Sequence, residues 1–189
     1  NYGGKTYGVP YYAGSRVATY RTDVFKQAGI TKLPSTLAEF VSDAQKIAAK
    51  TKSTAGFSPV YFGGEDWYVA MAFVYDYGGT IARTHAGKWI GALDSPAAIK
   101  GLTAYKNFFL ATSKASKTND STNPNPYDVY AQGKAGVIVG PSWYTCCVGA
   151  KFKASTAQFV LPGHVKGKPL PGFLGGSDLA VPVTGNAAL

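Results

Sequence analysis

This chain has little with which to ligate a metal or pair a nucleophile with a base. Its 189 residues include two histidines and two cysteines. His85 and His164 fall in separate loop-like stretches, neither at ligand spacing from a cysteine or the other histidine, so no metal is expected. No G-x-S-x-G elbow accompanies either histidine, which argues against a Ser–His–Asp or Cys–His hydrolase. The glycine pairs do not follow the strand–loop–helix pattern of phosphate or dinucleotide fingerprints, and no cofactor is expected. No segment reaches the roughly 18 apolar residues of a membrane span, and the start does not read as a signal peptide. Acids are also scarce: 10 against 19 basic residues, a net charge of +9. Such a surplus raises the question of a nucleic-acid partner. The lysines at 26, 32, 46, 50, 52, 100, 106, 114 and 117 are scattered, however, with no block of about five, so they read as a solvated surface and no nucleic acid is expected.

What is plentiful is aromatic and apolar. Hydrophobic residues make up 46% and aromatics 14%, with 13 tyrosines, and the length suffices for one full core or one and a half small lobes. Tyrosine joins a flat apolar face to a hydroxyl, which suits polar ligands such as sugars as well as it suits a core.

Helix and strand patterns alternate without repeats, which points to an α/β fold. Gly3–Gly4 reads as a turn before a strand, Thr6 to Val9, that ends at Pro10. Val17 to Tyr20 is a second strand. Thr22 or Asp23 can cap a short helix closed by Gly29. Thr36 and Glu39 form a capping box for a helix whose apolar stripe is Leu37, Phe40, Val41, Ala44, Ile47 and Ala48. Phe57 to Tyr61 reads as a strand, Val69 to Tyr77 as an apolar helix and Lys88 to Ile90 as an edge strand. Asp94–Ser95–Pro96 opens a helix to Leu110, expected to bury Ile99, Leu102, Tyr105 or the Lys106 stem, and Phe109. Residues 112–126 are polar and proline-bearing, a loop expected to be mobile. Tyr127 to Gln132 is a short helix, and Ala135 to Val139 a buried strand ending at Gly140–Pro141. Gln158 to Leu161 and Leu179 to Val183 complete the strands.

The stretch GGEDWY, residues 63–68, carries the sharpest functional question. A glycosidase sets two acids across the scissile bond, about 5–10 Å apart. Adjacent Glu65 and Asp66 at a helix start do not span such a gap easily, and acids there favour the helix dipole. Capping, or hydrogen bonding to a ligand, is the preferred reading. Trp67 and Tyr68 sit at the same helix start beside a flexible glycine pair. Trp143–Tyr144 follows Gly140–Pro141, and Tyr11–Tyr12 follows the Pro10 break. Three aromatic pairs, each just past a strand end, coincide with where open α/β sheets take ligands.

The ordered set GKTYGVPYYAGSRVATYRTDVFKQAGI, STLAEFVSDAQKIA, DSPAAIKGLTAYKNFF, YAQGKAGVIVGPSWY and LPGFLGGSDLAVP resembles the middle of extracellular solute-binding proteins of sugar ABC transporters, the family of maltose-binding protein. The resemblance implies a type II periplasmic-binding-protein-like lobe: a mixed sheet flanked by helices, with partial crossover strands from another lobe. It places residues 1–11 at the end of the first lobe and the crossover. Residues 12–161 would form the second α/β lobe, and 162–189 the return crossover with a strand from Leu174 to Val183. Asp66, Trp67 and Tyr68 match a sugar-contacting segment, with Glu65 beside them. Trp143 matches the ring of the family's Gly-Pro-Trp stretch. Here Ser142 intervenes, so either Trp143 or Tyr144 could face the cleft. Tyr11 and Tyr12 lie at the crossover, and Gly175, Gly176, Ser177 and Asp178 match the return strand.

The implied function is capture of a mono- or oligosaccharide without chemistry, for delivery to ABC permease subunits. The implied location is extracellular or periplasmic, with a membrane tether through an N-terminal segment beyond this chain. The chain opens inside a hairpin-like pattern and stops at VTGNAAL without a terminating signal, as expected for a piece of a longer protein. Its exposed hinge strands are expected to invite strand-exchanged self-association. The rivals are a glycoside-active enzyme using Glu65 or Asp66, and an adhesion module without saturable sugar binding. Cys146–Cys147 leaves three states open: a strained disulfide between neighbours, two reduced thiols packed behind Trp143, and an intermolecular bridge.

Overall fold

The structure, a computed structural model, describes residues 3–172 and 175–180. In chain order its elements are β1 (Val9–Gly14), β2 (Arg16–Arg21), α1 (Thr22–Gln27), α2 (Leu37–Lys50), β3 (Ser58–Tyr61), α3 (Trp67–Asp76), β4 (Ala82–His85) and β5 (Lys88–Gly91). They continue with α4 (Pro96–Thr112), α5 (Pro126–Ala131), β6 (Ala135–Pro141), a 3-10 turn (Ser142–Cys146), α6 (Ala150–Lys153), β7 (Thr156–Phe159) and β8 (Gly175–Leu179). Among the described residues no helix is long and apolar enough to cross a membrane.

The fold is built on a four-stranded mixed sheet of order β3-β6-β2-β7. Strands β3 and β6 run parallel, while β2 is antiparallel to both β6 and β7. β6 reads as an unbroken apolar run because both of its faces are covered. Val137 and Val139 join Val60, Phe40, Ile47, Phe73 and Phe108 in the larger core, while Ile138 joins Tyr61, Tyr130, Tyr144 and Phe152 in the smaller.

α2 forms where its signals lie. Thr36 accepts a hydrogen bond from the Glu39 N–H at 3.1 Å. The returning Glu39 carboxylate takes the Ser35 N–H and hydroxyl at 2.6 and 2.8 Å, one residue before the expected partner. That bonding holds the Glu39 carboxyl below its ordinary range. In α4, Ser95 caps the Ala98 N–H at 3.3 Å ahead of Pro96. Its buried face matches the expected one at Tyr105 and Phe109 but departs at Ile99, which is 52% exposed, while Ala98, Gly101 and Phe108 also point inward. Gly101 decides this, because a Cβ there would lie 2.6 Å from the Phe73 carbonyl oxygen, so only glycine lets α4 pack on α3.

Other boundaries also depart from the sequence reading. Neither Thr22 nor Asp23 caps α1; the Thr22 hydroxyl donates to the Ser155 carbonyl at 3.1 Å, and Asp23 binds the Arg21 guanidinium. The strand expected over Thr6 to Val9 is displaced: residues 6–8 are not strand, and β1 begins at Val9 and runs through Pro10. β8 is the partner β1 has among the described residues, and the register slips between Pro10 and Tyr12, so the missing N–H is tolerated. Tyr11 and Tyr12 therefore lie within a strand rather than after one. α3 starts two residues early because Asp66 caps it. β7 sits two residues earlier than expected, and Val160, 60% exposed, lies outside it. β5 is an edge as expected, but its partner β4 was not foreseen. The two join through Ala86 and Gly87, both at positive φ, without an Asn-Gly or Asp-Gly signature. In the return strand, Gly175–Leu179 is described, whereas Leu174 and residues 181–183 lie outside the described residues.

Candidate functional site

Three strand termini meet at one edge of the sheet. β3 ends at Tyr61 and leads into GGEDWY; β6 ends at Pro141 and leads into the 3-10 turn; β2 begins opposite, with Arg16 paired to Pro141. The Ser142 N–H donates to the Ser15 carbonyl at 3.0 Å, fixing Trp143 relative to Arg16. Gln158 holds the same turn from β7, donating to the Ser142 carbonyl at 2.8 Å and to Thr19 at 3.0 Å.

The resulting cleft has a volume of about 370 Å³. Tyr68, Trp143 and Tyr144 give it ring surface, and Tyr12, Gly175 and Gly176 border it from the β1–β8 ribbon. Arg16, Gly14, Ser121, Thr122, Asn125 and Pro141 complete the lining.

Each ring is held for a reason. Gly140 leaves room for the Tyr144 ring, which any Cβ there would overlap. Tyr144 is thus buried beneath the cleft and its hydroxyl pKa pushed up to about 12 by desolvation. Trp143 stays 46% exposed, 4.9 Å from Tyr144 and 5.9 Å from Tyr127 between ring centres. Both line the cleft, with Trp143 the accessible face. Trp67 stacks on Tyr68 at 3.8 Å, and the Arg16 guanidinium lies 4.1 Å from the Tyr68 ring centre.

The loop across from these rings, expected to be mobile, is bonded to the GGEDWY segment. Gly64 and Glu65 N–H groups donate to the Ser116 and Asn119 carbonyls at 3.1 and 2.8 Å. A Cβ on Gly63 would overlap the Asn119 and Asp120 carbonyl oxygens, and one on Gly64 that of Lys117. The glycine pair is therefore a packing surface rather than a hinge. Asp120 closes the loop on itself, accepting from the Thr122 N–H and hydroxyl at 2.7 Å, which lowers its pKa. These bonds set Ser121, Thr122 and Asn125 on the cleft wall.

The acids of GGEDWY lie outside the cleft lining. Glu65 is exposed. Asp66 is 1% exposed and caps α3, accepting from the Val69 N–H at 3.3 Å. Burial raises its pKa, opposed by the Arg16 charge. Tyr105 donates to the Gly63 and Gly64 carbonyls at 2.9 and 3.1 Å, and burial raises its pKa as well. Tyr11 is 69% exposed on the ribbon beside Tyr12. Ser177 and Asp178 are exposed on β8, paired with Tyr12 and Pro10, and do not line the cleft. Cys146 and Cys147 are joined by a disulfide, with Cys146 exposed rather than packed behind Trp143. No group of three or more His, Cys, Asp or Glu side chains fit to hold a metal occurs among the described residues.

The sequence reading missed Arg16, Ser121, Thr122 and Asn125. Arg16 carried a signal that went unused, a cation at the start of a strand that opens beside an aromatic pair. The loop residues carried none, because their place depends on packing against glycines 57 to 62 positions away.

Comparison with known proteins gives consistent matches. Residues 1–187 match the family model for bacterial extracellular solute-binding proteins. The diacetylchitobiose binding protein DasA of Streptomyces coelicolor is 33% identical over 181 residues, covering 94% of this chain and 41% of that protein. The GacH receptor of Streptomyces glaucescens, solved unliganded and with acarbose, superposes with a TM-score of 0.78 at 23% identity, over 100% of this chain and 47% of that one. An ABC transporter solute-binding protein from Agrobacterium vitis with bound D-mannitol superposes with a TM-score of 0.76 at 24% identity, over 99% and 45%. Both share the type II periplasmic-binding-protein fold. The chain spans less than half the length of these relatives.

Proposed function

Because the chain belongs to the bacterial extracellular solute-binding protein family, we propose that it is the second lobe of a carbohydrate-binding subunit of an ABC importer. It holds a mono- or oligosaccharide against a first lobe and performs no chemistry. The observation that carries this reading is the cleft at the strand ends, where Trp143 and Tyr68 offer ring faces beside the polar groups of Arg16, Thr122 and Asn125. An aromatic face packs on the apolar face of a pyranose, while donors around it take the hydroxyls. The relatives support it in kind: DasA is named for diacetylchitobiose, and GacH was solved with acarbose. The rival enzyme reading needs two carboxyls facing each other across the ligand, and neither Glu65 nor Asp66 lines the cleft. In this reading the protein works outside the cytoplasmic membrane, tethered at its surface, and lobe closure presents the loaded form to the permease.

Calorimetric titration of the two-lobed protein with a sugar panel tests the proposal. Saturable binding without turnover is expected. Release of cleaved sugar, abolished by Glu65→Gln or Asp66→Asn, would overturn it. The lobe alone has one wall of the cleft and is expected to bind sugar weakly. Its β1–β8 ribbon exposes Val9, Tyr11, Tyr12 and Leu179, and an edge of this kind pairs readily with a second copy. Light scattering on the lobe should show dimer; a strict monomer with micromolar sugar affinity would refute both expectations.

A further inference from the structure

Arg16 is the one charged side chain among the described residues that line the cleft. Its place is fixed on three sides. It opens β2 opposite Pro141, its neighbour Ser15 is bonded to the turn that carries Trp143, and its guanidinium lies over Tyr68 at 4.1 Å. Stacking on an aromatic face occupies the plane of a guanidinium and leaves its edge free to donate. Asp66, 1% exposed, caps the helix that carries Tyr68. The Arg16 Nε and the Asp66 Oδ2 are both buried with no hydrogen-bond partner among the described residues. The Arg16 charge acts on Asp66 more strongly than any other group does, opposing the effect of burial on its carboxyl.

We propose that Arg16 contacts the ligand, donating to ring or substituent oxygens of the sugar that packs on Trp143, and that Asp66 is a positioning residue that balances its charge. The cleft therefore selects neutral sugars over sugar acids. This rests on the carbohydrate reading above. A lone guanidinium at the floor would take a carboxylate bidentately and favour uronates. With a buried carboxylate to balance it, the pair presents donors without net charge, and a uronate would bring a second negative charge into a site where like charges interact strongly. Oδ1 caps α3, which leaves Oδ2, without a hydrogen-bond partner among the described residues, free to supply the counter-charge.

The test is calorimetry on the two-lobed protein with a neutral chito-oligosaccharide, a malto-oligosaccharide and a uronate oligosaccharide, each at low and high salt. Wild type should prefer a neutral sugar, with affinity nearly independent of salt. Arg16→Gln should lose roughly 10- to 100-fold in affinity, the scale of charge-assisted hydrogen bonds. Arg16→Lys keeps the charge but not the fork, and should also lose about tenfold or more; it carries the comparison should the glutamine variant melt early. Asp66→Asn keeps the acceptor that caps α3. It should shift the preference toward the uronate and make that binding fall with salt, a change that a merely structural role for Asp66 would not produce. Arginine variants within about twofold of wild type, a wild type that prefers the uronate, or an Asp66→Asn protein with unchanged preference and salt response would each overturn the inference. A wild type that binds no sugar at either salt would instead sink the carbohydrate reading beneath it.

Discussion

Gly64→Ala tests how the cleft wall is built. The added methyl would overlap the Lys117 carbonyl oxygen and come within 2.6 Å of its Cα. Those are backbone atoms, which cannot swing aside as a side chain would, so the 116–120 segment must lift. Lifting it breaks the Gly64 N–H to Ser116 bond and the Glu65 N–H to Asn119 bond, each worth about 0.5–1.5 kcal/mol. Overpacking elsewhere in proteins costs about 1–3 kcal/mol. The two effects overlap, because lifting the loop relieves the clash, so a loss of about 2–4 kcal/mol is expected. Gly91→Ala is the control, since a Cβ there meets nothing within 4 Å. Urea denaturation should show the midpoint falling for Gly64→Ala and holding for Gly91→Ala. Hydrogen exchange should speed up across residues 114–125 in the first variant alone. In the two-lobed protein sugar affinity should fall too, because Ser121, Thr122 and Asn125 leave the wall. Wild-type stability with an equally protected loop would refute the view that the glycine pair exists for this packing.

Trp143→Ala in the two-lobed protein should weaken sugar binding by about 1–3 kcal/mol with little change in melting, since the ring is half exposed; unfolding with unchanged affinity in the surviving fraction would make it a core residue. Burial holds the Asp66 carboxyl above its ordinary value of 3.8, so the folded state binds that proton more tightly than the unfolded state. Its cost to stability is absent below the ordinary value and grows as pH rises through the raised one. Asp66→Asn should therefore melt with wild type in acid and above it at neutral pH, and a crossing in the opposite sense would contradict the assignment. Thr36→Ala removes the α2 cap and should cost about 1 kcal/mol in urea denaturation. Alkylation without reductant should add no label at Cys146 or Cys147, and replacing both with serine should change stability by less than about 1 kcal/mol, because the bond closes almost no loop; two labels per chain would exclude it.

Legibility followed the range of the interaction that decides each feature. The α2 cap, the Ser95–Pro96 start of α4 and the apolar β6 rest on residues within four positions of one another, so a local pattern suffices. Thr22 and Asp23 look like caps, but Ser155 and Arg21 claim their side chains. Ile99 fits an apolar stripe, yet Gly101 turns the helix because it is where α3 comes closest. Pro10 looks like a strand stop, and would be one in a central strand; on a two-stranded ribbon its missing N–H need not matter.

The amino-acid sequence by itself determined the α/β alternation and the family, and it pointed to Tyr68, Trp143 and Tyr144 at the cleft because those rings follow strand ends in the chain, whereas Trp67 and Tyr11 lie outside its lining. Tertiary structure alone decided which polar groups meet those rings. Arg16 reaches Tyr68 only because β2 lies antiparallel to β6, and the 121–125 loop reaches the cleft only because Gly63 and Gly64 have no side chains to hold it off. It also decided that Asp66 would be buried under the site rather than exposed within it, since a carboxyl that caps α3 must face the helix it caps.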